Sequence, residues 1–416
     1  DFMKSKIDKD FFYDTHWHPK NINVYARLSD VVFSHKGKDY KALNIEDLRR
    51  IARRKLPKPL FNYIDGGADD ESNVCGNTHA YDAVKLVPEY LVDVADVDAS
   101  TRVLGRDISM PLFIGPTGMT RLFHHDGETA VSKAAADIGT YYMLSTVGAT
   151  SIEDVAKACD GPRCFQIYVM KDRGLTREFI QRCKDAKYDS LMLTVDIPVA
   201  GYRERELRYG FTLPPKLNLA GVIGFAARPG WVYRALTHPK ATLANVSHKI
   251  PEGSSQSTSL MEYIAKQFDP SVTWDDLAWM IEEWGGPFVV KGILSPADAR
   301  RAVDTGVTAI SVSNHGGRQL DGTLSAFEAL GPIVDEVGGE CEIICDGGIR
   351  RGTHVMKALA RGATACSIGR PYLYGLAAGG QAGVAKALEL LKDEIERTMA
   401  LLGCRSVAEI SARHII

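Results

Sequence analysis

The chain has 416 residues, 45% hydrophobic and 25% charged, with 50 Lys+Arg against 52 Asp+Glu. This ordinary globular composition excludes a disordered chain, and a net charge of −2 gives no field to attract nucleic acid. The 8 scattered cysteines include no C-x-x-C pair, which excludes a disulfide scaffold and fits reduced thiols in the cytoplasm.

No apolar run is long enough to span a bilayer, and the start lacks the apolar core of a signal peptide. Residues 1–41 read as an N-terminal extension, with His16 and His18 in a solvated terminus, and residues 42–416 as one domain, helical from Asn44. Short apolar, β-branched runs then recur, beginning at Met110, Tyr141, Cys164, Ser190, Pro287, Ala309, Cys341 and Ala365. Runs this apolar suit strands buried on both faces. Their starts are 31, 23, 26, 97, 22, 32 and 24 residues apart, and all but the fourth interval fit one strand, loop and helix. Helical patterns fall at Glu128–Ile138, Leu175–Ala186, Pro296–Thr305 and His354–Arg361, with a C-terminal helix around Ala385–Leu402. Serial β/α units predict a (β/α)8 TIM barrel over 110–370; an open doubly wound sheet is the alternative, and near-equal units favour closure. The long interval holds an insertion after the fourth strand, about 209–262. It reads as an ordered excursion with a mobile lid, disordered near Pro251–Ser259. A membrane-surface segment around Trp231, Tyr233 and Arg234 is the alternative.

Barrel enzymes carry their chemistry at the C-terminal ends of the strands. Every predicted end here has polar groups: Thr117, Ser145, Gln166 with Tyr168, Thr194 with Asp196, Lys291, Ser313 with His315, Asp346, and Gly369 with Arg370. The segments Asp346-Gly-Gly-Ile-Arg-Arg-Gly and Ser367-Ile-Gly-Arg stand where barrels bind phosphate. Glycine backbones admit an anion there, and Arg350 and Arg370 supply paired donors. His315 is the only histidine at a predicted strand end, with Arg318 three residues on and Arg203 beyond the fourth strand. An imidazole to take a proton, Asp196 to orient it and guanidinium groups for a carboxylate describe proton abstraction from a small anion. His124 and His125 read as rim residues of the first barrel loop. No H-E-x-x-H or paired Cys/His cluster appears, so no metal is expected.

The run SNHGGRQLDG (313–322) resembles the active-site signature of the FMN-dependent 2-hydroxy acid dehydrogenases and oxidases. LPKPLFNYIDGGADDE (56–71), GPTGM (115–119), LTVD (193–196), VVKGI (289–293), DGGIRRG (346–352) and IGR (368–370) are similar to family motifs in the same order. The resemblance implies FMN as cofactor and oxidation of an (S)-2-hydroxy acid, of the lactate or mandelate class, to the 2-oxo acid. It casts His315 as base, Asp196 as its partner, Arg203 and Arg318 as the carboxylate clamp, and Tyr63 and Tyr168 as phenols at the substrate. Lys291 falls beside the flavin ring; Thr117, Gly118, Ser145, Gln166, Thr194 and Ser313 fall around the ring and ribityl chain. Asp346, Gly348, Arg350, Gly369 and Arg370 belong to the phosphate-binding part. Gly118, where many oxidases of the family have alanine, implies room above the flavin and favours a dehydrogenase passing electrons to quinone or another redox partner. A peroxide-forming oxidase using oxygen is the alternative, and an inactive FMN-binding subunit the alternative of another class. Relatives imply a homo-oligomer, often a tetramer, in the cytoplasm or peripheral at the inner membrane face.

Overall fold

The computed structural model describes residues 42–209, 224–238, 242–249 and 267–416. The readings of the 1–41 extension, of His16 and His18, and of the Pro251–Ser259 stretch lie outside these residues.

Three helices come first: α1 (Ile45–Lys55), α2 (Lys58–Asp65) and α3 (Ser72–Asp82). A hairpin follows, β1 (Thr101–Val103) with β2 (Arg106–Ile108). The alternating part then runs β3 (Leu112–Ile114), α4 (Gly127–Ile138), β4 (Tyr142–Ser145), α5 (Ile152–Ala158), β5 (Arg163–Ile167), α6 (Arg173–Asp185) and β6 (Ser190–Thr194). Helices α7 (Glu204–Arg208) and α8 (Pro229–Thr237) belong to the long interval, and α9 (Trp274–Trp284) leads into β7 (Phe288–Ile293). The last units are α10 (Pro296–Thr305), β8 (Ala309–Ser313), α11 (Ala326–Val337), β9 (Glu342–Asp346), α12 (Gly352–Ala360), β10 (Ala365–Ile368) and α13 (Arg370–Leu402).

Strands β3 to β10 are parallel and close into one barrel, β10 pairing with β3, as the spacing predicts. Local sequence sets the helix starts. Ser295 accepts from the Asp298 backbone N–H ahead of Pro296, and Ser325 with Glu328 forms a reciprocal capping box.

Two features differ from the sequence reading. The C-terminal helix begins at Arg370, not near Ala385, because the helix after β10 runs into it through a break at Gly379 and Gly380. The hairpin was not predicted, since three-residue strands carry almost no periodicity. Its Leu104–Gly105 turn has φ of 49° and 76°, the left-handed pair of a tight hairpin. It plugs the N-terminal end of the barrel: Val103, Leu104 and Ile108 join Phe113, Tyr141, Met143 and the inward residues of the other strands in one buried apolar cluster. The opposite end stays open.

Candidate active site

The register of the barrel sets polar groups opposite one another at the C-terminal end: Ser145 beside Gln166, Thr194 beside Lys291, and Ser313, Asp346 and Ser367 in a row. Lys291 Nζ donates to Ser313 Oγ at 2.8 Å and lies 2.9 Å from Asp346 Oδ2. Ser313 and Ser367 donate to the two oxygens of Asp346 at 2.8 and 2.6 Å. Burial opposes the Lys291 charge, yet Asp346 and Asp196 outweigh it and hold its pKa above the ordinary lysine value. Burial likewise acts against the Asp346 carboxylate, but Lys291 and the two hydroxyls keep its pKa below the usual range. A fixed cation therefore sits beneath the opening.

Above this layer His315 Nδ1 donates to Asp196 Oδ1 at 2.9 Å, the only sense in which a carboxylate can be the partner. In that tautomer Nε2 carries the free lone pair, and His315 lines the cleft. His315 has φ 57°, a left-handed conformation that a non-glycine side chain adopts rarely, and Ser313 Oγ accepts its backbone N–H at 3.0 Å. Asp196 reaches it because β7 bulges at Gly292, φ 110°, where a Cβ would stand 2.7 Å from Asp196 Cβ. Gln319 ties the two loops together, donating to the carbonyls of Asp196 and Val199 at 2.9 Å each.

The N-terminal helices cover the mouth and bring in Tyr63. Arg49 grips Asp65 through two bonds of 2.6 and 2.9 Å, and Tyr374 donates to the same carboxylate. Arg318 donates to the Tyr63 carbonyl at 2.6 Å, and its guanidinium lies 4.8 Å from the centre of the Tyr63 ring. Burial raises the pKa of both Tyr63 and Tyr168, so both phenols stay protonated.

The resulting cleft is lined by Tyr63, Tyr168, Arg203, Lys291, His315 and Arg318, among others. Thr117, Gly118, Asp346, Gly348, Arg350, Gly369 and Arg370 also line it. Ser145, Gln166, Thr194 and Ser313 are buried and Asp196 is half-buried, and none of the five lines the cleft. Gln166 Nε2, Thr194 Oγ1 and Asp196 Oδ2 are buried with no hydrogen-bond partner, an arrangement that is costly unless a ligand meets them.

Two expectations change in physical content. Gly118 does not leave open space on its Cβ side, since a Cβ there would be 2.5 Å from Val147 Cγ2; the glycine admits the neighbouring loop. Arg370 is half-buried and donates to the carbonyls of Ile64, Gly316 and Gly66 at 3.0, 2.9 and 2.7 Å, so it also anchors the covering segment. Burial presses its pKa down to about 10. Arg350 is engaged more locally, with the Ile349 carbonyl at 2.8 Å.

Sequence reasoning missed Glu206, a buried carboxylate that accepts from Arg318 at 3.0 Å and lies 3.7 Å from Arg203, holding the two guanidinium groups side by side. It also missed the apolar wall of Val147, Ile197, Ala200, Leu243 and Phe268. The E-R-E pattern of 204–206 was a signal for the first. The wall is assembled from separate loops and had none.

A parallel barrel with a cationic floor, a His–Asp pair and glycine-rich loops after its last two strands defines a cofactor-dependent barrel enzyme. The chain matches the FMN-dependent dehydrogenase family over residues 52–416 and belongs to it. FMN is its cofactor and it is an oxidoreductase. The orphaned Gln166 and Thr194 groups beside the Lys291 cation fit the polar edge of the FMN ring. An L-lactate oxidase from Nostoc is 43% identical over 372 residues, covering 88% of this chain and 96% of that protein. An L-lactate dehydrogenase from Pseudomonas aeruginosa is 41% identical over 380 residues, 89% and 97% of the two chains. The crystal structure of a monotopic membrane protein, (S)-mandelate dehydrogenase, aligns with TM-score 0.85 and 37% identity over 90% of this chain and 99% of that one.

Proposed function

We propose that the protein oxidises an (S)-2-hydroxy acid with an apolar substituent to the 2-oxo acid. The observation that carries this reading is the 2.9 Å His315–Asp196 bond, which leaves the Nε2 lone pair free on a residue lining a cleft that also holds two guanidinium groups. Bound FMN supplies the two-electron acceptor. Arg203 and Arg318 hold the substrate carboxylate, with Glu206 keeping them adjacent. The Tyr63 and Tyr168 phenols donate to substrate oxygens. His315 takes the proton that leaves the substrate, and Asp196 stabilises the imidazolium that forms. Lys291 supplies the positive charge beneath the reacting centre. Gln166, Thr194 and Lys291 would hold the flavin ring, while Arg350, Arg370 and the glycine backbones at 348 and 369 would hold its phosphate.

The apolar wall favours aryl or branched alkyl groups over hydrogen. Anaerobic mixing with mandelate, lactate and glycolate should bleach the flavin band, with kcat/KM for mandelate at least tenfold above glycolate. Failure of every hydroxy acid to bleach it would refute the catalytic reading, and a preference for glycolate would refute the role of the wall.

Electrons then pass to quinone or a redox protein, so reoxidation by oxygen should be slow and dye reduction fast. The similarity to the lactate oxidase supports the second reading, transfer to oxygen with hydrogen peroxide formed; rapid reoxidation in air would establish it. We assign peripheral membrane contact to α8, which buries none of its residues and leaves Tyr233 and Leu236 67% and 80% exposed. Among the described residues no helix is long and apolar enough to cross a membrane. Flotation with anionic vesicles should be lost on Leu236→Glu. Light scattering should show a homo-oligomer.

A further inference from the structure

A second group of side chains sits on the loop after β3, away from the reacting centre. Residues 124–126 place two imidazoles and a carboxylate in succession, and their ligand atoms all lie within 4.8 Å of one another. His124 Nδ1 is 3.3 Å from one Asp126 oxygen, and His125 Nε2 is 3.4 Å from the other. Ligands ~2.0–2.1 Å from a tetrahedral zinc ion stand about 3.3–3.4 Å apart. Each pair has the spacing of two ligands on one ion, with a different carboxylate oxygen offered to each ring.

Hydrogen bonding does not account for the arrangement. His125 Nδ1 is buried without a partner, and the ring lies between His124 and His238, with centroids 4.3 and 3.9 Å away. His124 Nδ1 accepts only a long 3.4 Å bond from the Asp126 backbone N–H. Arg234 and Lys55 are close enough to act against a positive charge at His124. A hard cation held by charge alone would bind poorly here, whereas an ion with high affinity for imidazole can overcome that repulsion.

We propose that His124, His125 and Asp126 bind a borderline divalent transition metal of the zinc type, in a structural role separate from flavin chemistry. The ion would stiffen this loop, against which the insertion packs. His238 follows α8, whose Trp231 donates to the Leu122 carbonyl at 2.9 Å. On the inner side Phe123 stacks on Tyr63 with centroids 6.0 Å apart, so the brace would steady the cover of the cleft.

The test uses the flavin-containing enzyme stripped with a chelator and titrated with zinc sulfate by calorimetry. The wild type should take up one zinc per chain and melt at a higher temperature with it. His125→Ala and Asp126→Asn should each bind zinc at least tenfold more weakly while keeping the flavin spectrum. Absence of one-to-one binding by the wild type would overturn the proposal whatever the variants do. Unchanged affinity in either folded variant would overturn it as well. Cobalt gives a second readout: four-coordinate binding should add absorption beyond the flavin band in the wild type and not in His125→Ala.

Discussion

At the N-terminal end of the barrel the strands meet a hairpin and enclose a buried apolar cluster that includes Phe113, Met143, Met192 and Val289. At the C-terminal end the same strands present Lys291, Asp346, Gln166 and Thr194, some of them with polar atoms left unpartnered. One set of hydrogen-bonded strands thus serves two opposite purposes along its length. The closed end supplies the free energy that lets the open end keep buried charges and orphaned donors in place. Stability and chemistry should therefore be separable by mutation, and the following experiments press on that separation.

The largest effect is expected at the open end. His315→Gln should slow flavin reduction by about 10²–10⁴-fold, the usual contribution of a general base, and leave the yellow colour and melting temperature nearly unchanged. A melting loss as large as that of a core variant would blur the contrast. At the closed end, Phe113→Ala removes a fully buried ring and should cost about 3–5 kcal/mol in urea unfolding. Its kcat/KM per folded flavin should stay within roughly twofold.

His354 gives an intermediate effect through pH. Burial holds its imidazole pKa at about 4 against 6.5 when unfolded, and the ring stacks on Tyr81 at 4.7 Å. The folded value is depressed, so this stability is complete above pH 6.5 and declines as pH falls toward about 4. The slope is about 1.4 kcal/mol per pH unit, and on the order of 3 kcal/mol is lost in all. Urea midpoints at pH 7, 6 and 5 should show this decline, flattened in His354→Gln. The smallest effect concerns cofactor retention. Arg350→Ala should weaken FMN binding roughly tenfold or more, the worth of a charge-assisted hydrogen bond, with the apoprotein fold intact. Unchanged retention would remove Arg350 from the phosphate site.

Much of this architecture was legible in the sequence, because strands buried on both faces leave unbroken apolar runs and each is followed by a helical period. The polar strand ends stood out for the same reason: Lys291 and Asp346 have no place in such runs unless they face one another. What escaped was either too short or too distributed. The hairpin offered three residues per strand and one Leu-Gly turn. The sequence reading of Arg370 as a phosphate ligand gave no hint of its three carbonyl partners, which lie on segments remote in the chain. Tyr63 was assigned through resemblance, and the Arg49–Asp65–Tyr374 contacts that carry it over the mouth are long-range.

The left-handed backbone of His315 has an evolutionary consequence. A histidine at φ 57° holds a conformation that asparagine or glycine adopts more readily, and such strain costs on the order of 1–3 kcal/mol. A lineage selected for heat resistance alone would drift toward those residues and lose the proton acceptor. On the proposed role of His315, histidine at this point would persist only while turnover is under selection, so the residue at 315 would report whether a descendant of this chain still works as an enzyme.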